Sequence, residues 1–146
     1  MEEGIVPGGG IALWNVFQQE SGRDAGSAVA KAAKTILMKA LEAPLTAIVT
    51  NSGQSPTSVM NEISKKKKES KDKNESVWMG YNADKNEVSD LRKFGIIDPL
   101  KVTKTAFVNA LSVASNYLVT GAAVTELPKK ESPAPPAGGM PGMGEY

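Results

Sequence analysis

Two residue types are missing altogether, and each absence closes off some chemistry. The chain has no cysteine, which excludes a disulfide framework and thiolate nucleophiles. It has no histidine, the side chain most used as a general base near neutral pH and as a metal ligand. Neither sign of charge is in excess. The 17 basic and 16 acidic residues leave a net charge of +1, so no global field draws the chain to nucleic acid or to an anionic membrane. No apolar run reaches the roughly 18 residues that a membrane span needs. The short acidic start Met1-Glu2-Glu3-Gly4 lacks the basic and apolar regions of a signal peptide. The glycosylation-like triplet Asn74-Glu75-Ser76 is then best explained by chance. At 146 residues there is enough chain for one domain with a real core. Together these features predict a soluble, intracellular, mostly helical protein that binds neither nucleic acid nor membrane.

What is present is organised around residues 78–99. Val77, Met79 and Tyr81 alternate with Trp78, Gly80 and Asn82, the period-2 pattern of a strand. Asp84-Lys85-Asn86 is polar enough to turn, and residues 88–97 bring the chain back, so a β-hairpin is expected. Asp98 then stands where a helix N-cap belongs, with Pro99 at the first helical position. The helix it opens, running to about Thr120, is expected to be the longest. Phe107, Leu111, Ala114 and Leu118 lie along its apolar stripe.

Upstream, Gly4-Ile5-Val6-Pro7-Gly8-Gly9-Gly10 reads as a flexible lead-in to an apolar helix over residues 11–17. Two readings fit the glycines. They let the chain turn into a helix, or they leave backbone N–H groups bare at its positive end, where an anion or a closely approaching ligand would sit. They do not form a Walker loop, because no Gly-Lys-Ser/Thr follows. A second helix is expected from about Asp24 to Glu42, with Ala25, Ala33, Leu37 and Leu41 on one stripe. Pro44 should break or kink it at Ala43. A shorter helix then carries Leu45, Ile48 and Val49, and Ser55-Pro56 starts another with Val59, Met60 and Ile63 inward. These are core faces without chemistry. Residues 65–76 crowd six lysines together with no apolar residue among them. A solvated, mobile loop is the expectation; the sharper alternative, a nucleic-acid patch, lacks interleaved aromatics. Residues 122–127 suit a short strand ended by Pro128, and from Lys129 on the Pro/Gly/Met composition cannot form a packed core.

Four of these stretches carry a family resemblance. Gly4-Ile5-Val6-Pro7-Gly8-Gly9-Gly10-Ile11-Ala12-Leu13, Gly80-Tyr81-Asn82-Ala83, Gly95-Ile96-Ile97-Asp98-Pro99 and the Gly-Gly-Met tail, in this order and at these separations, resemble the C-terminal part of a group I chaperonin of the GroEL type. The resemblance spans essentially the whole chain. It implies a mainly α fold: a helical bundle, the C-terminal half of an equatorial domain, with one small β-hairpin and a short C-terminal strand. It also implies a division into residues 1–10 as the end of the intermediate domain, 11–128 as half of the equatorial ATP-binding domain, and 129–146 as a disordered tail. The lysine-rich loop over 65–76 is longer than is usual in that family.

Carried over residue by residue, the resemblance implies that Gly9 touches a nucleotide through its backbone. Asn82, Ala83 and Asp84 would line an adenine pocket, and Asp98 would bind the ribose hydroxyls. A carboxylate can accept from two vicinal hydroxyls, although Asp98 also has its reading as a helix cap. The cofactor implied is ATP, with Mg2+ in the full-length parent. The family's phosphate-binding loop, its metal-binding carboxylate and its water-activating carboxylate lie outside these residues, so the chain alone is expected to hydrolyse nothing. The parent would fold non-native proteins at the cost of ATP, in a double heptameric ring of identical subunits with a lid co-chaperonin. Its compartment would be the bacterial cytoplasm or the mitochondrial matrix. On this reading the chain is a C-terminal fragment or a truncated gene product. Two rivals stand beside it: a stand-alone helical interaction module, and a small nucleotide binder that completes its site by self-association.

Overall fold

The computed structural model describes residues 2–126. The expected tail over 129–146, with Leu127 and Pro128, lies outside the described residues. The chain is mainly helical, as expected, and its elements follow in order. Strand β1 is Ile5–Pro7, helix α1 Ile11–Glu20, α2 Ala28–Asn51, α3 Pro56–Glu69 and α4 Lys73–Trp78. Strands β2 (Met79–Asn82) and β3 (Glu87–Asp90) form an antiparallel hairpin in which Tyr81 faces Val88. A 3-10 turn over Leu91–Phe94 leads to β4 (Ile97–Pro99), and α5 (Leu100–Val119) follows.

The core gathers where α1, α2 and α3 meet the hairpin. Ile11 and Trp14 from α1, Leu45 and Val49 from α2, and Ile63 from α3 are buried together. Tyr81, Val88 and Leu91 close the cluster from the hairpin side. Each such side chain contributes about 1.5–3 kcal/mol by leaving water. Leu41, Leu45 and Val49 recur at four-residue steps and are all buried, so the inward stripe of α2 lies in its C-terminal half.

That stripe explains a departure from the sequence expectation. Pro44 sits inside α2, which runs unbroken for 24 residues. Proline removes one helical hydrogen bond, but the carbonyl it leaves unpaired belongs to Ala40, which is exposed to water, and burial of Leu41 and Leu45 on either side keeps both turns in register. The helix also starts later than Asp24. Gly26 takes φ +73 and ends any earlier helix, and Ser27 caps the new one by accepting from the Ala30 N–H at 3.3 Å. At 24 residues α2, and not the 20-residue α5, is the longest helix.

Four further expectations are corrected. The lysine-rich stretch is helical: α3 extends to Glu69 and α4 follows from Lys73. Lysine is a good helix former, and Glu62–Lys66 and Lys65–Glu69 pair one turn apart. Asp98 does not cap the last helix. It lies in β4, opposite Val6 of β1, and Pro99 is the capping position, without a side-chain bond. The hairpin is shorter than residues 78–97, because Val77 and Trp78 end α4 and the return strand stops at Asp90. No strand forms over residues 122–126.

Candidate functional site

The β1–β4 pair is what assembles the candidate site. It joins residues ninety or more positions apart: Ile5 with Pro99, Val6 with Asp98, Pro7 with Ile97. The pairing continues one step further, where the Gly8 N–H donates to the Ile96 carbonyl at 3.1 Å. The lead-in is therefore a strand with a fixed partner. Gly9 and Gly10 then take φ +63 and +78, left-handed backbone that glycine adopts freely. Gly10 is the N-cap of α1, and a methyl group there would lie 2.6 Å from the Leu45 nitrogen. The close approach in the glycine triplet thus belongs to Gly10 against α2. A methyl group at Gly9 would meet only ordinary contacts, 3.8 Å from Ile96 Cγ2 and 3.9 Å from the Tyr81 carbonyl oxygen. Those two neighbours place Gly9 between the segment before Asp98 and the residue before Asn82.

Asn82 is buried, 2% exposed, at the end of β2. Its Oδ1 accepts from the Asp84 N–H at 3.0 Å and the Lys85 N–H at 3.3 Å, an Asx turn that shapes the hairpin loop. Ala83 and Asp84 stand exposed in that loop. Asp98 is half-buried and takes part in none of the ion pairs among the described residues. Of the five residues singled out from the sequence, Gly9 lies beside Tyr81, the neighbour of Asn82, and beside Ile96, two residues before Asp98. Ala83 and Asp84 follow Asn82 on the loop.

The loop is held from several sides. The Tyr81 O–H donates to Asn86 Oδ1 at 2.8 Å, and the Tyr81 oxygen lies 2.8 Å from Ser52 Oγ. Ser52 in turn donates to the Val49 carbonyl at 2.7 Å. Asn86 has φ +54, the left-handed region that asparagine tolerates better than most residues. Lys85 lies 4.4 Å over the Phe94 ring. The sequence placed Tyr81 in the strand and Asn86 in the turn, but it gave no sign of the hydrogen-bond chain that joins them to Ser52.

Charged groups nearby serve structure. Asp90 opens the 3-10 turn and accepts from the Arg92 N–H, Nε and Nη2 at 3.0–3.2 Å. Those side-chain hydrogen bonds from Arg92 hold its carboxyl below the usual carboxylate range. Arg92 also lies 5.3 Å over the Trp78 ring. Two of the clustered lysines hold α3 in place. Lys66 donates to the Val88 carbonyl at 2.6 Å, and Lys67 donates to Asn15 Oδ1 and lies 4.7 Å over Trp14. Burial lowers the Lys67 ammonium from 10.5 to about 8. Among the described residues there is no group of three or more acidic side chains that could hold a metal ion, and no helix is long and apolar enough to cross a membrane.

A mainly helical chain whose glycine turn, hairpin and β4 converge in this way matches a known class. A model of the TCP-1/cpn60 chaperonin family matches residues 1–126. The chain belongs to that family. Among solved structures its fold is similar to the open-state monomer of a group II chaperonin from Methanococcoides burtonii, with a TM-score of 0.67 and 22% identity. The match covers 80% of this chain and 28% of that one.

Proposed function

We propose that these residues form the adenine and ribose side of the nucleotide pocket of an ATP-driven chaperonin subunit of the group I type. The observation that carries the reading is the β1–β4 pair. It sets the bare backbone of Gly9 beside Tyr81–Asn82 and brings the unpaired carboxylate of Asp98 onto the neighbouring strand. The residues present fit a nucleoside. Asp98 joins no ion pair among the described residues, so its oxygens can accept from ribose hydroxyls, and Ala83 and Asp84, exposed in the hairpin loop, are open to a base. They do not supply the groups for phosphate or for Mg2+, which the family places elsewhere in the subunit. The resemblance of the four sequence motifs supports the group I type. In that reading residues 1–10 end an intermediate domain and 11–128 are half of an equatorial domain. The complete subunit then assembles into a double heptameric ring with a lid co-chaperonin and encloses non-native proteins.

The test is an NMR titration of the 146-residue chain with adenosine and with ATP. Shifts are expected at Gly9, Asn82, Ala83, Asp84 and Asp98. Asp98→Ala should weaken adenosine binding about tenfold, about 1.4 kcal/mol, and leave binding of 2′,3′-dideoxyadenosine unchanged. No phosphate should be released from ATP. Absence of shifts at millimolar adenosine would refute the pocket, and steady phosphate release abolished by Asp98→Ala would refute the division of labour.

A further inference from the structure

Tyr81 links the hairpin loop and the end of α2 through its hydroxyl and lies beside the glycine turn through its backbone carbonyl. Its ring is in the core, 3% exposed. Its own carbonyl oxygen lies against Gly9. Its hydroxyl is within 2.8 Å of both Asn86 Oδ1 and Ser52 Oγ, and Ser52 is the C-cap residue of α2. Two hydroxyl hydrogens serve three oxygen–oxygen contacts here. The Tyr81 hydrogen goes to Asn86, and the Ser52 hydrogen is divided between Val49 O and the Tyr81 oxygen. Such a chain has direction: loss of the phenol hydrogen-bond donor unties Asn86 on one side and leaves Ser52 with only its local bond on the other.

Asn86 is the only non-glycine residue with positive φ among the described residues. Left-handed backbone at a residue with a Cβ costs about 1 kcal/mol and persists where its surroundings hold it. Within the loop, the side-chain bond from Tyr81 is what meets Asn86. At the other end of the loop Asn82 Oδ1 gathers the Asp84 and Lys85 amides. The loop that presents Ala83 and Asp84 is thus clamped at both ends, once by Asn82 itself and once by Tyr81 through Asn86.

We propose that Tyr81, with Ser52 and Asn86, is a positioning group for the base-binding loop: its hydroxyl holds Asn86 left-handed and ties the loop to the C-terminal end of α2. This inference rests on the nucleotide-pocket reading above. Tyr81 does not touch the base through its hydroxyl, which is turned to Ser52 and Asn86. Its effect on a nucleoside is indirect, through the geometry of residues 82–84.

The test compares the full chain with Tyr81→Phe, Asn86→Gly and Ser52→Ala by two readouts. The first needs no ligand: amide exchange and backbone scalar couplings for residues 83–87. Tyr81→Phe should speed exchange of the Asp84 and Lys85 amides at least tenfold and move the Asn86 coupling away from its left-handed value, while amides of α1 and α3 stay protected. Ser52→Ala should have a smaller effect in the same direction, and Ser52→Thr, which keeps the hydroxyl, should restore it. Asn86→Gly keeps positive φ without the tie, so it should loosen exchange without the loss of left-handed backbone. The second readout is adenosine affinity, which Tyr81→Phe should weaken three- to tenfold. A loop unchanged in Tyr81→Phe overturns the positioning role whatever adenosine does. A loosened loop with unchanged adenosine affinity overturns the link to the site alone. Failure of the unsubstituted chain to bind adenosine overturns the pocket reading and this role with it.

Discussion

At the scale of single residues, the side chain whose state departs most from its ordinary one is Lys67. Its ammonium is drawn in between Asn15 and Trp14, and burial lowers it from 10.5 to about 8. The consequence for stability has a definite sign. Between pH 8 and 10.5 the unfolded chain still holds the proton that the folded chain has released, so stability rises with pH across that window. Lys67→Met keeps the apolar stem over Trp14 and removes the titration. Thermal unfolding from pH 7.5 to 10 should therefore show a rising midpoint for the unsubstituted chain relative to Lys67→Met, and parallel curves would show that Lys67 does not titrate early. None of this was legible in the sequence, where Lys67 is one lysine in a run of four. Side chains of identical type were separated by which face of α3 they occupy: Lys66 and Lys67 reach neighbouring elements, while Lys65 and Lys68 face water.

At the scale of elements, the hairpin and α1 are locked by the absence of a side chain at Gly80. A methyl group there would lie 2.5 Å from Ile11 Cγ1 and 2.6 Å from Leu91 Cδ1, both wholly buried. Gly80→Ala should overpack this contact and cost about 1–3 kcal/mol, read as a lower denaturant midpoint. Gly22→Ala, where nothing lies within 4 Å, is the control and should change little. If Gly80→Ala unfolds at the same midpoint as Gly22→Ala, the packing of α1 on the hairpin is looser than described. The alternation around Gly80 announced its strand, and the apolar spacing on either side of Pro44 announced helix there, read as two separate helices, because both are local periodicities. The pairing of Ile5–Pro7 with Ile97–Pro99 left no such trace: three residues on each side are too few for a period, and the partner lies ninety or more positions away along the chain. Asp98 for that reason read as a helix cap, with the right residue type one position too early.

At the scale of the whole molecule, α5 stands out. It has no buried side chain, and Val113 and Leu118 are 68% and 70% exposed. Twenty residues of helix with an uncovered apolar stripe are marginal in water on their own, and an exposed stripe of this kind marks a contact surface. Its first turns are tethered by β4, by the Leu100 N–H donating to the Gly4 carbonyl at 3.1 Å, and by two ion pairs, Lys101–Glu2 and Lys104–Glu3. The N-terminal half of α2, with Val29 and Ile36, leaves a second apolar face exposed. In isolation the chain should self-associate at tens of micromolar, with sedimentation coefficients rising with concentration. Val113→Lys with Leu118→Lys should shift it toward monomer without moving the adenosine-sensitive residues. A single monomeric species at every concentration would show that the apolar face of α5 is tolerated in water.

By itself the sequence determined the local features: the helical faces built on Ala, Leu and Val, the hairpin around Gly80 and Tyr81, and the glycine turn before Ile11. It also carried the chaperonin resemblance, because those motifs keep their order and separation along the chain. Tertiary structure alone decided the rest. It kept α2 whole across Pro44, since burial on either side outweighed one lost hydrogen bond. It chose which lysines of the run turn inward, since α1 and β3 offered partners for Lys67 and Lys66. It placed Asp98 in a strand beside Val6, since only folding brings Ile5–Pro7 and Ile97–Pro99 together.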